Sequence, residues 1–154
     1  MHRKRYALAA VAALTFSGGA SAHAATHTLE AVEGNNGTVK ADVPAGDCVV
    51  TVDWYGMDAA AETTVEFRLH GPSGDALLLT DTLTLDDDGA YGGDLDGSRS
   101  YDLNDAVAAA GDPTATSHQV KVTTHTTYSR GADTKYKVVS VSGCQATGGS
   151  GGGS

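Results

Sequence analysis

The stretch from Cys48 to Tyr55, Cys-Val-Val-Thr-Val-Asp-Trp-Tyr, limits the possible folds more than any other part of the chain. Apolar and more polar residues alternate along it, with Cys48 and Trp54 in one set and Thr51 and Asp53 in the other. A period of two is what a half-buried β-strand requires. The stretch also holds one of the two cysteines and the only tryptophan, so it predicts a strand with one face in the core.

The first 24 residues have the pattern of a secretory signal peptide. A basic run, His2 to Arg5, precedes about ten apolar residues, and two Ala-x-Ala cleavage sites end at Ala22 and Ala24. Ten apolar residues are too few to cross a bilayer. We therefore predict that residues 1–24 are removed after Ala22 or Ala24 and that the protein is secreted or displayed on the cell surface.

Removal of the signal peptide makes the chain more acidic. Seven of the ten basic residues and all nineteen acidic residues follow residue 24, which gives a net charge of −12. Such a surface repels phosphate backbones and anionic lipid headgroups. Nucleic acid is therefore excluded as a partner, and direct insertion of the domain into a membrane is not expected.

Three segments follow from composition. Residues 25–147 are enough for one domain with one core. Residues 148–154, Gly-Gly-Ser-Gly-Gly-Gly-Ser, form a flexible linker or the start of a stalk that leads to a cell-wall or membrane anchor beyond residue 154. Two cysteines in an exported chain most simply pair, so Cys48 and Cys144 are expected to form a disulfide.

Short alternating segments separated by Gly, Pro, Asn and Asp indicate about seven or eight strands. The expected fold is all-β: an immunoglobulin-like antiparallel β-sandwich with one short connector helix, capped by Asp102 or Asn104 and ended by Gly111. Residues 90–95 are predicted as a weak strand and residues 128–133 as a loop. Because Cys144 follows the last strand, the bridge would lie near one end of the sandwich, unlike that of a true immunoglobulin domain.

Several segments resemble a family of small exported actinobacterial proteins. They are Cys48 to Gly56, the Gly71-Pro-Ser-Gly74 turn, Tyr101-Asp-Leu103, His118 to Val122, and Gly131 to Val138 before Cys144. The family typically ends in a Lys-x-Lys-Val-Phe-Trp-Val strand and a cysteine, whereas this chain has Val139-Ser140 in place of Phe-Trp. The resemblance covers about residues 35 to 144 and implies a cell-surface β-sandwich, often followed by a stalk, with no established activity.

Two parts of the sequence carry residue types that bind metal ions. If cleavage follows Ala22, an N-terminal His23 has an α-amine and an imidazole that suit Cu(II). The candidate further ligands are His27, His70, His118 and His125. The densest acidic cluster is a candidate calcium site and consists of Asp86, Asp87, Asp88, Asp94 and Asp96. Its spacing does not match an EF-hand loop, because Ala90 stands at the fifth position, where the loop needs a ligand. The favoured interpretation is a chain without a cofactor, with solvated histidines and an acidic turn.

Aromatic and basic residues provide the candidates for partner contacts. The aromatic residues that could form a sugar- or protein-binding platform are Trp54, Tyr55, Tyr91, Tyr101, Tyr128 and Tyr136. Of these, Tyr55 and Tyr128 are the preferred exposed contacts, whereas Trp54 is expected to pack in the core behind the disulfide. Lys135 and Lys137, together with Arg68 and Lys121, are predicted to form a basic stripe, which either binds an acidic partner or makes only screened surface ion pairs.

No nucleophile motif or triad arrangement supports catalysis. The sequence therefore favours a non-enzymatic structural or interaction module whose partner is an extracellular protein or glycan. The alternatives are an extracellular copper-binding protein that uses His23 and a carbohydrate-binding module.

Overall fold

The computed structural model describes residues 25–33, 37–58, 60–72, 75–85, 95–128 and 131–146. Within these ranges the chain forms nine strands and one helix. In order they are β1 (Ala25–Thr28), β2 (Glu30–Glu33), β3 (Thr38–Val43), β4 (Val49–Tyr55), β5 (Glu62–Leu69), β6 (Ala76–Thr84), β7 (Leu95–Asp102), α1 (Asn104–Ala110), β8 (Ser117–Tyr128) and β9 (Gly131–Ser142).

The strands build two antiparallel sheets, which confirms the predicted all-β sandwich. One sheet has the order β1-β3-β4-β7 and the other has the order β2-β9-β8-β5-β6. Alternate residues of β3 and β4 are buried, and so are alternate residues of most of β5. This pattern places one face of each sheet in a shared core.

The N-terminal segment crosses from one sheet to the other. β1 pairs with β3, whereas β2 pairs with β9 in the second sheet. Leu29 lies between the two strands, is only 4% exposed and donates its N–H to the carbonyl of Val39. Residues 25–33 therefore contribute one short strand to each sheet.

The core consists mainly of valines from both sheets around a few larger side chains. Phe67 and Tyr101 make a direct ring contact, with centroids 4.9 Å apart. The fully buried side chains include Val39, Val50, Val52, Trp54, Val65, Phe67, Leu103, Val107, Val120, Val122, Val139 and Val141. Burial of each such side chain stabilises the fold by about 1.5–3 kcal/mol before the loss of conformational entropy is counted.

A disulfide joins the two sheets at one end of the sandwich, as predicted. Cys48 precedes β4 and Cys144 follows β9, and their Cα atoms are 4.9 Å apart. The backbone is also tied there, because Ser142 donates its N–H to the carbonyl of Asp47. Trp54 is fully buried but lies six residues further along, at the other end of β4. It belongs to the core as expected, but it does not pack behind the disulfide.

The connector helix lies where the sequence predicts it. Its N-cap residue is Leu103, which makes no side-chain cap, rather than the predicted Asp102 or Asn104. The Asp102 carboxylate nevertheless accepts the N–H of Asn104, and Gly111 donates its N–H to the carbonyl of Val107 at the predicted end of α1. These interactions satisfy backbone groups that a helix leaves open at its ends. α1 also lies against β6 and places Val107 in the core.

Two boundaries differ from the sequence-based expectation. β7 occupies Leu95–Asp102, whereas the weak strand was predicted at residues 90–95, most of which lie outside the described residues. The predicted loop at residues 128–133 is largely strand, because β8 extends to Tyr128 and β9 begins at Gly131. Backbone pairing between the two long strands overrides the polar composition of this segment.

The predicted signal peptide, the Gly/Ser linker and four members of the acidic cluster, Asp86 to Asp88 and Asp94, lie outside the described residues. The fifth member, Asp96, is buried and its carboxylate accepts the N–H of Met57. In the described part of the chain, α1 is far too short to cross a bilayer.

Candidate binding surface

The two outer faces of the sandwich differ in chemistry. On the four-stranded sheet, carboxylates and hydroxyls satisfy one another: Thr26 donates to Asp42, and Ser98 donates to Asp53. Thr51 and Ser100 are also hydrogen-bonded, with their hydroxyl oxygens 2.6 Å apart. This face is polar, and its Asp42 and Asp53 carboxylates accept hydrogen bonds from hydroxyls of neighbouring strands.

On the five-stranded sheet, strand register places four side chains in one row across four strands. Leu77 of β6 pairs with Arg68 of β5, Arg68 with Lys121 of β8, and Lys121 with Val138 of β9. Adjacent strands are about 4.8 Å apart, so the row is roughly 14 Å long. It has two cations in the middle and an apolar side chain at each end.

The two cations are direct cross-strand neighbours, although like charges in that position destabilise a sheet. Arg68 is held by Glu66, which accepts from its Nε at 2.5 Å, and a further guanidinium nitrogen donates to the carbonyl of Asp75 at 3.2 Å. The ion pair with Glu66 raises the pKa of Arg68. Among the described residues, no carboxylate forms an ion pair with Lys121.

Lys121 instead lies over the ring of Tyr136, with its Nζ 5.1 Å from the ring centroid. Lys40 on the opposite face has the same arrangement over Tyr55, also at 5.1 Å. The cross-strand neighbours of Lys40 are Thr28 and Asp53, and Asp53 carries the opposite charge. Each lysine therefore makes its own cation–π contact, but the charged cross-strand neighbour is a cation for Lys121 and an anion for Lys40.

Exposed apolar area adjoins the cations. Leu77 is 53% exposed and Tyr136 is 37% exposed, and both are among the large hydrophobic residues that the described surface leaves accessible. Tyr136 is two residues from Val138 on the same outward side of β9. We call the set Leu77, Arg68, Lys121, Tyr136 and Val138 the Arg68–Lys121 patch.

Lys135 and Lys137 do not belong to this surface, which corrects the predicted four-residue basic stripe. Lys135 is 4% exposed and pairs with the buried Thr124, so it points between the sheets. Lys137 pairs with Val122 on the same inward side, and its Nζ donates to Glu30 of β2 at 2.7 Å. That hydrogen bond, followed by the charge of Lys137, lowers the pKa of Glu30.

The two predicted tyrosines are separated by the fold. Tyr55 lies on the outer face of the four-stranded sheet, where partial burial and the nearby Asp53 and Asp42 carboxylates raise its pKa. The side chain of Tyr128 lies outside the described residues. Tyr136 was named in the aromatic set but ranked below Tyr55 and Tyr128, because the apolar pair Val138-Val139 hides which side of the strand faces outward.

Part of the interior is polar. Thr63, Thr124, Thr126 and Lys135 are buried on the five-stranded sheet, at the end of β5, β8 and β9 away from the disulfide. The hydroxyls of Thr126 and Thr63 are 3.0 Å apart and hydrogen-bonded. The Trp54 indole nitrogen and the Thr124 hydroxyl have no hydrogen-bond partner within the described part of the chain.

The open side between β6 and β7 is closed by polar contacts. Asp81 of β6 accepts from Arg99 and from the Tyr101 hydroxyl of β7, each at 3.0 Å. Burial and then the hydrogen bond to Asp81 raise the pKa of Tyr101. These contacts link the two sheets at the edge opposite the N-terminal crossover.

The histidines are dispersed. His27 of β1 pairs with Ala41 of β3. The His125 ring nitrogen Nδ1 lies 2.8 Å from the Thr134 hydroxyl oxygen. In the part of the chain that the structure describes, no three His, Cys, Asp or Glu side chains are grouped so that they could hold a metal ion. His23 lies outside that part.

Comparisons of the chain with protein-family models, with curated proteins and with solved structures found no match. The resemblance to the exported actinobacterial family stays a prediction. The proposals that follow therefore depend on the residues and the geometry of this chain.

Proposed function

We propose that this protein is an exported, non-enzymatic interaction module that contacts its partner through the Arg68–Lys121 patch. The observation that carries the proposal is the register that places Arg68 directly opposite Lys121. The chain carries 19 acidic and 10 basic residues, so solubility does not require two cations side by side. Departures from local stability rules tend to occur at functional positions.

The composition of the patch supports a protein contact. Tyr and Arg are enriched among the residues that dominate binding energy, particularly when apolar side chains surround them and exclude water. Here Arg68 lies in the same cross-strand row as Leu77 and Val138, and Tyr136 lies beside Val138 on the same face. The patch residues belong to hydrogen-bonded strands, so binding would cost little backbone conformational entropy.

Export and surface display are part of the same proposal. The disulfide supports an oxidising location, since disulfides persist mainly outside the cytosol. The signal-like residues 1–24 and the Gly/Ser residues 148–154 supply a route out and a spacer. Copper binding draws on His23, which lies outside the described residues. Carbohydrate binding draws on Tyr55 and Tyr128; the side chain of Tyr128 lies outside the described residues, and Tyr55 lies on the opposite face from the Arg68–Lys121 patch.

Site-specific photo-crosslinking in the producing cells tests the proposal. A photoreactive phenylalanine replaces Tyr136 in one variant and Tyr55 in the other, which is the matched position under Lys40 on the opposite face. We expect a discrete higher-mass adduct from position 136 and none from position 55. Absence of an adduct at 136, or the same adducts at both positions, would contradict the proposal.

A further inference from the structure

The order of chemical groups along the row indicates what the partner presents. The row reads apolar, cation, cation, apolar from Leu77 through Arg68 and Lys121 to Val138. A complementary surface has an anion at its centre and an apolar group on each side. Nucleic acids, polyphosphates and acidic glycans carry repeated anions without flanking aliphatic side chains, and therefore complement only the middle of the row.

We propose that the partner is an extended acidic protein segment of the type Leu-x-Glu-x-Leu that lies across the strands; this rests on the proposed function. In an extended chain, alternate side chains point the same way and are about 6.7 Å apart, so the two leucines are roughly 13 Å apart. That separation matches the roughly 14 Å from Leu77 to Val138. The glutamate then lies between Arg68 and Lys121.

The electrostatics favour a single carboxylate at the centre. Cross-strand neighbours have Cβ atoms about 5 Å apart, so one carboxylate can accept from both cations. Such an anion replaces the repulsion between Arg68 and Lys121 with two attractions. Lys121 has no competing ion pair among the described residues, whereas Arg68 is already held by Glu66. Lys121 therefore provides the larger share of the recognition.

Titration of the isotope-labelled exported chain with short peptides, followed by NMR, tests this proposal. The probe is the acetylated peptide amide Ser-Leu-Ser-Glu-Ser-Leu-Ser. Two controls replace its Glu with Gln and its leucines with Ser. We expect saturable shifts of Lys121, Tyr136 and Leu77 resonances, with affinity at least about tenfold weaker for either control, since the loss of a single charge-assisted contact or of a single buried side chain already corresponds to about tenfold.

Protein variants complete the design. Lys121→Glu is expected to abolish the shifts, and Lys40→Glu, which makes the same charge change beside Tyr55, is expected to leave them unchanged. Equal binding of the Glu and Gln peptides, or no binding of either, would overturn the proposed partner chemistry.

Alginate and polyphosphate serve as anionic polymer probes. If either shifts the Lys121 and Tyr136 resonances as strongly as the peptide, the patch is a binding surface but its partner is not the acidic protein segment proposed. If no probe binds and position 136 gives no crosslink in cells, the proposed function itself fails. The two failures are thus distinguishable.

Discussion

Thr124 buries a hydroxyl that has no partner among the described residues, in a fully inaccessible position of β8. An unsatisfied buried polar group costs about 1–3 kcal/mol. Two residues further along, the equally buried Thr126 donates its hydroxyl hydrogen to Thr63. The two threonines therefore differ in hydrogen bonding far more than in burial.

We predict that Thr124→Val raises the free energy of unfolding by about 1 kcal/mol, because it removes an unsatisfied hydroxyl at similar volume. Thr126→Val, the matched control, should lower it by about the same amount, because the Thr63 hydroxyl loses its donor. Urea denaturation measures both. Destabilisation by Thr124→Val would show instead that this hydroxyl binds an internal water or another group.

Tyr101 makes the folding stability depend on pH in alkaline solution. Burial and the hydrogen bond to Asp81 raise its pKa in the folded state. The stabilisation from Tyr101 is therefore fully present below the pKa of tyrosine in the unfolded chain, about 10, and is lost as the pH rises towards the pKa of Tyr101 in the folded state.

The variant Tyr101→Phe isolates this effect. It should lose about 1 kcal/mol at neutral pH with the Asp81 hydrogen bond. Above pH 10 the wild type should lose stability more steeply than the variant. Denaturation at several pH values between 8 and 11.5 measures the difference, and parallel profiles would rule out the assigned role of Tyr101.

At the scale of elements, the turn after β9 depends on a close backbone approach. Gly143 has φ +66°, and a Cβ there would lie 2.3 Å from the carbonyl oxygen of Gly46. Gly46 also has a positive φ, +75°, but a Cβ added to it meets nothing within 4 Å. Comparison of Gly46 with Gly143 therefore separates two effects of adding a side chain: backbone strain at positive φ, which both positions have, and steric clash, which only Gly143 has.

We expect Gly46→Ala to destabilise the protein by about 1–2 kcal/mol through backbone strain alone. Gly143→Ala should cost more, because the backbone at the disulfide end must also move. Thermal unfolding of both variants, with Gly71→Ala as the open-space control, checks the order. Equal losses at positions 46 and 143 would contradict the close approach.

Strands with regular alternation could be predicted from the sequence, and polar edge strands could not. β4 and most of β5 show the alternation in their residue types and in their burial. β7 was missed because it is rich in Gly, Ser and Asp and buries only Asp96 and Tyr101. Pairing with β4, rather than intrinsic propensity, makes this segment a strand.

The binding surface was only half predictable for a related reason. Arg68 and Lys121 were correctly placed together, since each has an outward position in a clearly alternating strand. Lys135 was misplaced because β9 is apolar on both sides around Val138 and Val139. Only the register with β8 shows which side of β9 faces the core.

For the whole molecule, the disulfide links the two sheets across a sequence separation of 96 residues. On the chain-entropy model, closing a loop of that length stabilises the fold by about 4–5 kcal/mol. The double variant Cys48→Ala/Cys144→Ala should show this loss in urea denaturation, as should the reduced wild type. A loss below about 1 kcal/mol would mean that the sheets hold together without the bridge.

The central claim is that the protein keeps a destabilising like-charge pair because the pair binds a partner. Comparison of Lys121→Glu with Lys40→Glu in urea denaturation tests it most directly. Both changes alter net charge equally and remove a lysine 5.1 Å from a tyrosine ring. Lys121→Glu replaces a repulsion with Arg68 by an attraction, whereas Lys40→Glu replaces an attraction to Asp53 by a repulsion.

Cross-strand pairs contribute about 0.2–1 kcal/mol each, so the account predicts that Lys121→Glu is more stable than Lys40→Glu by at least about 1 kcal/mol, while only Lys121→Glu loses partner binding. Equal stabilities, or a less stable Lys121→Glu, would show that Lys121 costs the fold nothing. That result would remove the observation on which the proposed function depends.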